Sequence, residues 1–484
     1  MTTPHAGTEK RDNLEAMQPT SNTTFDTIVI GAGQAGPGLA ATLAGRGERV
    51  AIIERSHLGG TCINTGCRPT KAIRASARAA HVARSSAALG VHCPEVRVDF
   101  AEVIGRKDAM LAGWRAGSNS WLENDPVITL YRGSARLDGT EAGEHVVQID
   151  GGAQDGQRLR ARRVIINTGG RSVPPPIAGL DDTPWLDHIS VLDLKELPRH
   201  LVVLGGSYIG LEFAQVFRRF GSVVTVVERA PRIVAREDVE ISAAVAQFLR
   251  HEEIDVIEAT ETTSVSSSGG GVTVTLGDGR TIPASHVLVA SGRVPNSDGL
   301  GLETVGVDRD GRGFITTDEV YETSTAGIYA VGDVNGRGAF THTSYQDYEI
   351  LADHLAGGPR TVAGRGTTYA LFTDPPLGRV GMTFDEARRS GRSISTVSFP
   401  MSRVTKAVLD SETDGLVHIV TDTATGEILG AACLGLHGEE MVQSISLLMH
   451  VGAPVSAFAT WLPIHPTITE YLPTIVGGLK PDAT

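Results

Sequence analysis

The run Phe25-Asp26-Thr27-Ile28-Val29-Ile30-Gly31-Ala32-Gly33-Gln34-Ala35-Gly36 decides the fold, because an apolar strand breaks there into a glycine turn. A small-residue helix follows, then a second strand, Arg49-Val50-Ala51-Ile52-Ile53-Glu54. Strand, glycine turn, helix, strand and terminal acid together form a dinucleotide-binding pattern. Gly31 allows the tight turn, Gly33 lets backbone approach a pyrophosphate, and Gly36 lets helix and strand touch. Unpaired N–H groups at the helix start supply partial positive charge to phosphates. Glu54, about twenty residues on, is placed to accept hydrogen bonds from a ribose.

Working outward, the unit recurs. Leu201-Val202-Val203-Leu204 leads into Gly205-Gly206-Ser207-Tyr208-Ile209-Gly210, a helix through Phe217, and Val223-Val224-Thr225-Val226-Val227-Glu228. Ser207 stands where the middle glycine is expected. Two such units imply two nucleotides, or one nucleotide fold duplicated for stability alone. Short strands are expected at Val146–Ile149, Val164–Asn167, Val272–Val274 and His286–Val289, separated by Gly, Pro and Asp turns. From residue 365 the pattern changes to alternation around Leu416–Val420 and Ile428–Leu434, with helices near Gly438–Val451 and Ile468–Val476, which reads as a separate α+β domain.

Composition narrows the function classes. The chain has 484 residues, 41% hydrophobic and 20% charged, enough for two to four domains. Lys+Arg 43 against Asp+Glu 56 gives a net charge of −13, which repels nucleic acid and an anionic membrane surface alike. No run approaches the ~18 apolar residues of a membrane span. Residues 1–25 lack the apolar core of a secretory signal and read as a polar, disordered arm. Four cysteines make no disulfide framework, which points to a reducing cytoplasm where paired cysteines are catalytic or metal-binding.

Two of those cysteines lie in Gly59-Gly60-Thr61-Cys62-Ile63-Asn64-Thr65-Gly66-Cys67-Arg68-Pro69-Thr70-Lys71. In an unbroken α-helix five residues rise about 7.5 Å, beyond the ~6.8 Å limit between Cα atoms of a disulfide. A Cys62–Cys67 bond therefore needs a distorted first turn, which Gly66 and Pro69 favour. A stapling role gains about 2 kcal/mol for so small a ring. Zinc needs two further ligands, and neither a second cysteine pair nor His-x-x-x-His flanks the segment, so no metal site is expected. A redox-active pair is the reading left.

At this point the chain resembles the FAD-dependent pyridine-nucleotide disulfide oxidoreductases, which include dihydrolipoamide dehydrogenase, glutathione reductase and mercuric reductase. The motifs recur in order from residue 26 onward: Gly31 to Gly36 with Glu54, Cys62 to Lys71, Asn167-Thr168-Gly169, Gly205 to Glu212, Ser291-Gly292-Arg293-Val294-Pro295-Asn296, Ile328-Tyr329-Ala330-Val331-Gly332-Asp333, and His465-Pro466-Thr467-Ile468-Thr469-Glu470. Phe340-Thr341-His342-Thr343-Ser344-Tyr345 and Thr373-Asp374-Pro375-Pro376-Leu377-Gly378 are similar to the mercuric-reductase branch.

The resemblance implies an α/β fold with two Rossmann-like nucleotide-binding domains, for FAD and NAD(P), plus a C-terminal α+β dimerisation domain. The arm would occupy 1–25, the FAD domain with its redox disulfide 26–175, the NAD(P)H domain 176–296, a return to the central FAD domain 297–364, and the dimerisation domain 365–484. Gly31, Gly33, Gly36, Glu54, Gly60, Thr61, Lys71, Thr168, Gly169, Gly205, Tyr208, Gly210, Glu228, Gly292, Arg293, Asp333 and Thr341 would bind the two cofactors. Cys67 would be the flavin-side sulfur, whose thiolate gives a charge-transfer band, and Cys62 the thiol that attacks substrate. Asp333 would bond the ribityl chain, and the backbone at Phe340-Thr341-His342 would stabilise charge on the flavin. Lys71, paired with Glu212, would sit near flavin N5, and Tyr208 would be the gate that nicotinamide displaces.

His465 and Glu470 resemble the family's acid/base dyad, on a helix that Pro466 introduces, acting on the other subunit's disulfide. An obligate homodimer is implied. Glu228 favours NADH over NADPH, because a carboxylate repels a 2′-phosphate, although Arg229 and Arg232 stand close. The implied reaction passes electrons from NAD(P)H through FAD and the cysteine pair to a small organic disulfide, a dihydrolipoamide dehydrogenase subunit being the alternative. Mercuric reductase is disfavoured, since no cysteine follows Cys433. Arg68 departs from the small or aliphatic residue usual after the second cysteine. Its guanidinium either lowers the Cys67 pKa, attracts an anionic substrate, or points to solvent. Cys433 reads as a small buried hydrophobe.

Overall fold

Five apolar runs from distant parts of the sequence converge in one parallel sheet. The computed structural model describes residues 23–482. Of the arm expected over 1–25, residues 1–22 lie outside them, and its last two residues already belong to the strand Thr24–Ile30, whose pairing on both sides orders them. The first sheet has seven strands. Ile128–Arg132, Val50–Glu54, Thr24–Ile30 and Arg158–Ile166 lie side by side in parallel, followed by antiparallel Glu144–Asp150 and Ser134–Glu141. Ile328–Ala330 pairs in parallel with the end of Arg158–Ile166, so the chain returns to this sheet after its excursion through the second unit. Val50, Ala51 and Ile52 are wholly buried, as strands covered on both faces must be.

Helix α1 (Gly36–Ala44) packs behind the first glycine turn. Helices α2 (Gly60–Asn64) and α3 (Cys67–Ser85) follow the second strand, and α4 (Phe100–Glu123) covers them both. The second unit is a parallel sheet of four, Asp255–Ile257, Val223–Val227, His200–Leu204 and His286–Val289, with α5 (Tyr208–Phe220) and α6 (Val239–His251). A three-stranded antiparallel addition, Thr262–Ser268, Gly271–Leu276 and Thr281–Ala284, flanks it. The chain re-enters the first unit where Arg293–Pro295 pairs with Gly170–Ser172, and α7 (Thr341–His354) packs on α1.

The C-terminal domain is a six-stranded sheet, with the fully buried strand Ile428–Leu434 near its centre and helix Gly438–His450 on one face. It is an α/β molecule of two Rossmann-like units and an α+β domain. One expected helix differs: Glu470 sits on a 3-10 turn, Thr469–Tyr471, and the α-helix starts at Leu472. Pro473 has no N–H to donate to the Thr469 carbonyl, so an α-helix cannot run through.

The C-terminal domain is clamped to the nucleotide units through the loop preceding Leu377. Arg74 on α3 donates to the carbonyls of Phe372 (2.6 Å) and Thr373 (2.8 Å). Asp374, 7% exposed, pairs with both Arg78 of α3 and Arg219 of α5. A buried carboxylate is tolerable because two guanidiniums surround it, and they hold it below the usual carboxylate range against the opposing effect of burial.

Candidate active site

A break in the helix brings the two cysteines together. Helix α2 ends at Asn64, Gly66 adopts φ −130° and ψ −115°, and α3 starts at Cys67, so the pair does not share one helix. Both are free thiols, Cys62 half-buried and Cys67 exposed, and each shifts the titration of the other. The neighbouring Cys67 and burial push the Cys62 thiol well up. Cys67 is held down to about 6, first by the Cys62 thiol and then by Thr341 and Lys71, against burial and Glu212. Thr341 Oγ1 lies 3.4 Å from Cys67 Sγ.

Lys71 stands one turn beyond Cys67 on α3. Its Nζ is 2.6 Å from Glu212 Oε2 on α5, and 4.5 Å from the centre of the Phe372 ring. The second oxygen of Glu212 accepts from the Phe372 N–H at 3.0 Å. Lysine and carboxylate are thus fixed between three elements. Of the three roles open to Arg68, the structure bears on where its side chain goes. Successive helical side chains diverge by about 100°, so its guanidinium leaves the Cys67 face, lies 5.4 Å from the ring centre of Trp114 on α4, and acts electrostatically on Cys62.

The first glycine turn has the features an adenine dinucleotide requires. A Cβ on Gly31 (φ +102°) would stand 2.4 Å from the Asn167 carbonyl oxygen. The N-cap of α1, Ala35, carries no side-chain cap, so no side chain of the helix start competes with a phosphate, while Gly36 N is bonded to Gly33 O and Pro37 has no N–H. Glu54 at the strand end accepts from Ala32 N and Ser56 N, both at 2.8 Å. Gly60 lies over Gly33, where a Cβ would come within 2.7 Å of Gly33 Cα, and Thr61 beside it is exposed. Thr168 and Gly169 are tied to Asn296 through Thr168 Oγ1 to Asn296 O (2.8 Å) and Asn296 N to Gly169 O (2.9 Å). Gly292 precedes Arg293, which donates to Gly170 O and stands 3.6 Å from Asp333. Burial raises the Asp333 carboxyl, opposed by Arg293. Thr341 opens α7, whose N-cap Phe340 also has no side-chain cap.

The second turn repeats this construction. Gly205 has φ +114°, a Cβ on Gly210 would meet the Gly205 carbonyl at 2.1 Å, and Ser207 at the N-cap of α5 makes no capping bond. Glu228 accepts from Gly206 N and Ala230 N, both at 2.7 Å. Tyr208 leads from here toward the first cradle. Its ring centre is 5.3 Å from that of Tyr369 and 6.3 Å from that of Phe340, and burial pushes its hydroxyl up to about 12.

Several residues here escaped sequence reasoning. Tyr369 donates to Glu237, which pairs with Arg379, 1% exposed and also bonded to Asp238. Asp347, also 1% exposed, accepts from Gly332 N (2.8 Å), Asn335 Nδ2 (3.1 Å) and the Tyr321 hydroxyl (2.7 Å), fixing the turn that carries Asp333. No local pattern marks these, and Glu237 stands 132 and 142 residues from Tyr369 and Arg379.

His465 Nδ1 lies 2.9 and 3.1 Å from the two oxygens of Glu470. The ring is 73% exposed and the carboxylate 11%, so Glu470 orients the imidazole and leaves Nε2 facing outward. The structure pairs this dyad within itself, on the C-terminal domain. Leu462 (91%) and Ile464 (79%) stand exposed beside it, with Leu447 and Val451 nearby in the same domain. An apolar surface of this kind is the mark of an interface.

The nucleotide units and the C-terminal domain match two family models. Residues 25–347 match the pyridine nucleotide-disulphide oxidoreductase family and residues 367–476 its dimerisation domain. The chain is 35% identical to the probable pyridine nucleotide-disulfide oxidoreductase RclA of Escherichia coli, over 94% of this chain and 99% of that protein. It is 33% identical to a mercuric reductase of Streptomyces lividans, over 93% and 94% respectively. A solved structure, the Cu(II) complex of the HOCl-induced flavoprotein disulfide reductase RclA from Escherichia coli, superposes with a TM-score of 0.86 at 34% identity, covering 94% of this chain and 99% of that one. The family uses FAD and a pyridine nucleotide, and its dimerisation domain builds a homodimer. The chain thus belongs to the pyridine nucleotide-disulphide oxidoreductases, as an NAD(P)H-dependent, FAD-containing enzyme.

Proposed function

We propose that this enzyme reduces a small organic disulfide, with Cys62 and Cys67 as a reversible electron relay. The observation that carries the reading is the placing of two free thiols at the break between α2 and α3, with Cys67 Sγ 3.4 Å from Thr341 Oγ1 at the start of α7 and the Lys71–Glu212 pair one turn beyond; Cys62, Thr341 and Lys71 all favour the Cys67 thiolate. Gly31, Gly33, Gly36, Glu54, Gly60, Asp333 and Thr341 would hold FAD, and Gly205, Gly210, Glu228 and Tyr208 the pyridine nucleotide. Bound FAD supplies the two-electron chemistry that joins NAD(P)H to the disulfide.

The residues of the chain do the rest. With Cys62 deprotonated, its sulfur attacks one sulfur of R–S–S–R, forming a Cys62–S–S–R bond and expelling RS⁻. The Cys67 thiolate then attacks Cys62 Sγ, re-forming the Cys62–Cys67 bond and expelling the second RS⁻. His465 of the partner subunit, oriented by Glu470, takes the Cys62 proton and delivers it to the departing thiolate. Two electrons from NAD(P)H and a second proton from solvent complete two RSH. Lys71 supports the negative charge on Cys67, and Glu212 keeps the lysine in place. The homodimer is obligate in this scheme, because each site draws its acid/base group from the other chain.

NADH is the proposed donor. Glu228 sets a carboxylate at the strand end, while Arg232 is committed to the carbonyls of Ala235 and Glu237. The test is anaerobic oxidation of NADH and NADPH on adding a panel of small disulfides. Turnover that is lost in Cys62→Ser supports the proposal. Turnover confined to dihydrolipoamide with NAD, or consumption of NAD(P)H with Cu(II) but with no disulfide, contradicts it.

A further inference from the structure

We propose that Arg68, Arg115 and the Trp114 ring form an anion-recognition site beside Cys62, which selects disulfides carrying carboxylates. This rests on the disulfide-reductase reading and names its substrate class. The side chain of Arg68 is exposed and lies against Trp114, 5.4 Å from guanidinium carbon to ring centre. Among the described residues no carboxylate pairs with it, although the chain carries a net charge of −13 and its other arginines near the cysteines are engaged. Arg74 is bound to carbonyls and Arg78 to Asp374 and Glu412.

Arg115 adjoins Trp114 on the same helix. Its Nε donates to Asn64 Oδ1 at 2.8 Å, and Asn64 is itself fixed by Leu58 O and Gly60 O, both at 2.9 Å. Asn64 lies two residues after Cys62 on α2, so a neutral amide, not an acid, draws this second cation to the nucleophile's helix. His57, the neighbouring imidazole, is held down by burial and by Arg115 and Arg132.

The chemistry of the pair is directional. A guanidinium stacked on an indole keeps its donor edge free and its plane fixed, which suits two-point recognition of a carboxylate. Positive charge with no carboxylate partner beside α2 also concentrates anions there. A disulfide bearing a carboxylate near its sulfur satisfies both. A neutral amide-capped disulfide satisfies neither.

The test compares holoenzyme kcat/KM for three disulfides of similar size, dithiodiglycolate, bis(2-hydroxyethyl) disulfide and cystamine, in wild type, Arg68→Met, Arg68→Lys and Arg115→Met. We expect anion above neutral above cation. The anion-to-neutral ratio should fall about tenfold in Arg68→Met, the scale of one charge-assisted hydrogen bond, and recover in part in Arg68→Lys. A second readout needs no turnover: alkylation of Cys62 in the reduced Cys67→Ser protein by iodoacetate and by iodoacetamide. A mere effect of Arg68 on the thiol moves both rates equally, whereas a recognition site lowers the iodoacetate-to-iodoacetamide ratio in Arg68→Met. An unchanged ratio in both assays overturns the inference. Failure of every disulfide to be reduced overturns the disulfide reading instead, and the alkylation ratio still reports on the site.

Discussion

The two glycine turns use nearly the same parts to different depth. In both, a left-handed glycine tucks under a carbonyl of the neighbouring strand, and the strand-end carboxylate bonds back to the turn, Glu54 to Ala32 N and Glu228 to Gly206 N. They part at the middle position. Gly33 is overlain by Gly60 and flanked by the Asn167 amide, 3.3 Å from where a Cβ would stand. Ser207 has an ordinary extended backbone (φ −108°) and an exposed side chain. The first turn is buried beneath the loop that carries the cysteines, and the second is open on that side. A cofactor held for the life of the protein and one that comes and goes each turnover call for that difference.

The largest expected effect comes from Gly31→Ala and Gly205→Ala, which impose the same backbone strain on opposite sides of the comparison. Each should cost about 3 kcal/mol. Gly31→Ala should yield protein without flavin absorbance and a lower Tm. Gly205→Ala should keep its flavin and lose at least ~10-fold in affinity for pyridine nucleotide, measured by titration. Next, Gly33→Ser should release flavin, whereas Ser207→Gly should shift stability by less than ~1 kcal/mol, checked by thermal unfolding. If both middle positions tolerate serine, the contrast between the turns fails. Smaller again, Glu228→Gln should lower kcat/KM for NADH about tenfold and raise the relative use of NADPH, while flavin content stays the same.

These contrasts also show what the sequence carries. The glycine fingerprints, both strand-end acids, the Cys62–Cys67 spacing and the His465-to-Glu470 interval are legible because each is local: a short run fixes its own turn and presents its own side chains. Arg68 was legible as an anomaly but not in direction, since the face it takes depends on α4 lying opposite. The network of Tyr369, Glu237 and Arg379 was not legible, because its members stand about 130 to 140 residues apart and meet through domain docking. Asp347 has its partners only 12 to 26 residues away, yet it reads as one more acid of a helix until its buried hydrogen bonds appear. Glu470 departs from the expected helix because Pro473, with no N–H for the Thr469 carbonyl, delays the α-helix to Leu472.

The thiol pair has its own pH signature. A thiol held below its free value near 8.5 stabilises the fold most above that value, and loses this as pH falls through about 6. Cys62 is raised, so its contribution is complete below ~8.5 and lost as pH rises further. The reduced protein should therefore gain stability between about pH 6 and 8.5, and Cys67→Ser should flatten that rise in denaturant titrations.

The relay itself is tested most directly by alkylating the reduced protein with iodoacetamide across pH and mapping the label to each cysteine. The account predicts that Cys67 gains reactivity with a midpoint near 6, that Cys62 stays protonated throughout that range, and that Lys71→Met moves the Cys67 midpoint upward. A midpoint near that of a free thiol for Cys67, or Cys62 ionising first, would contradict it.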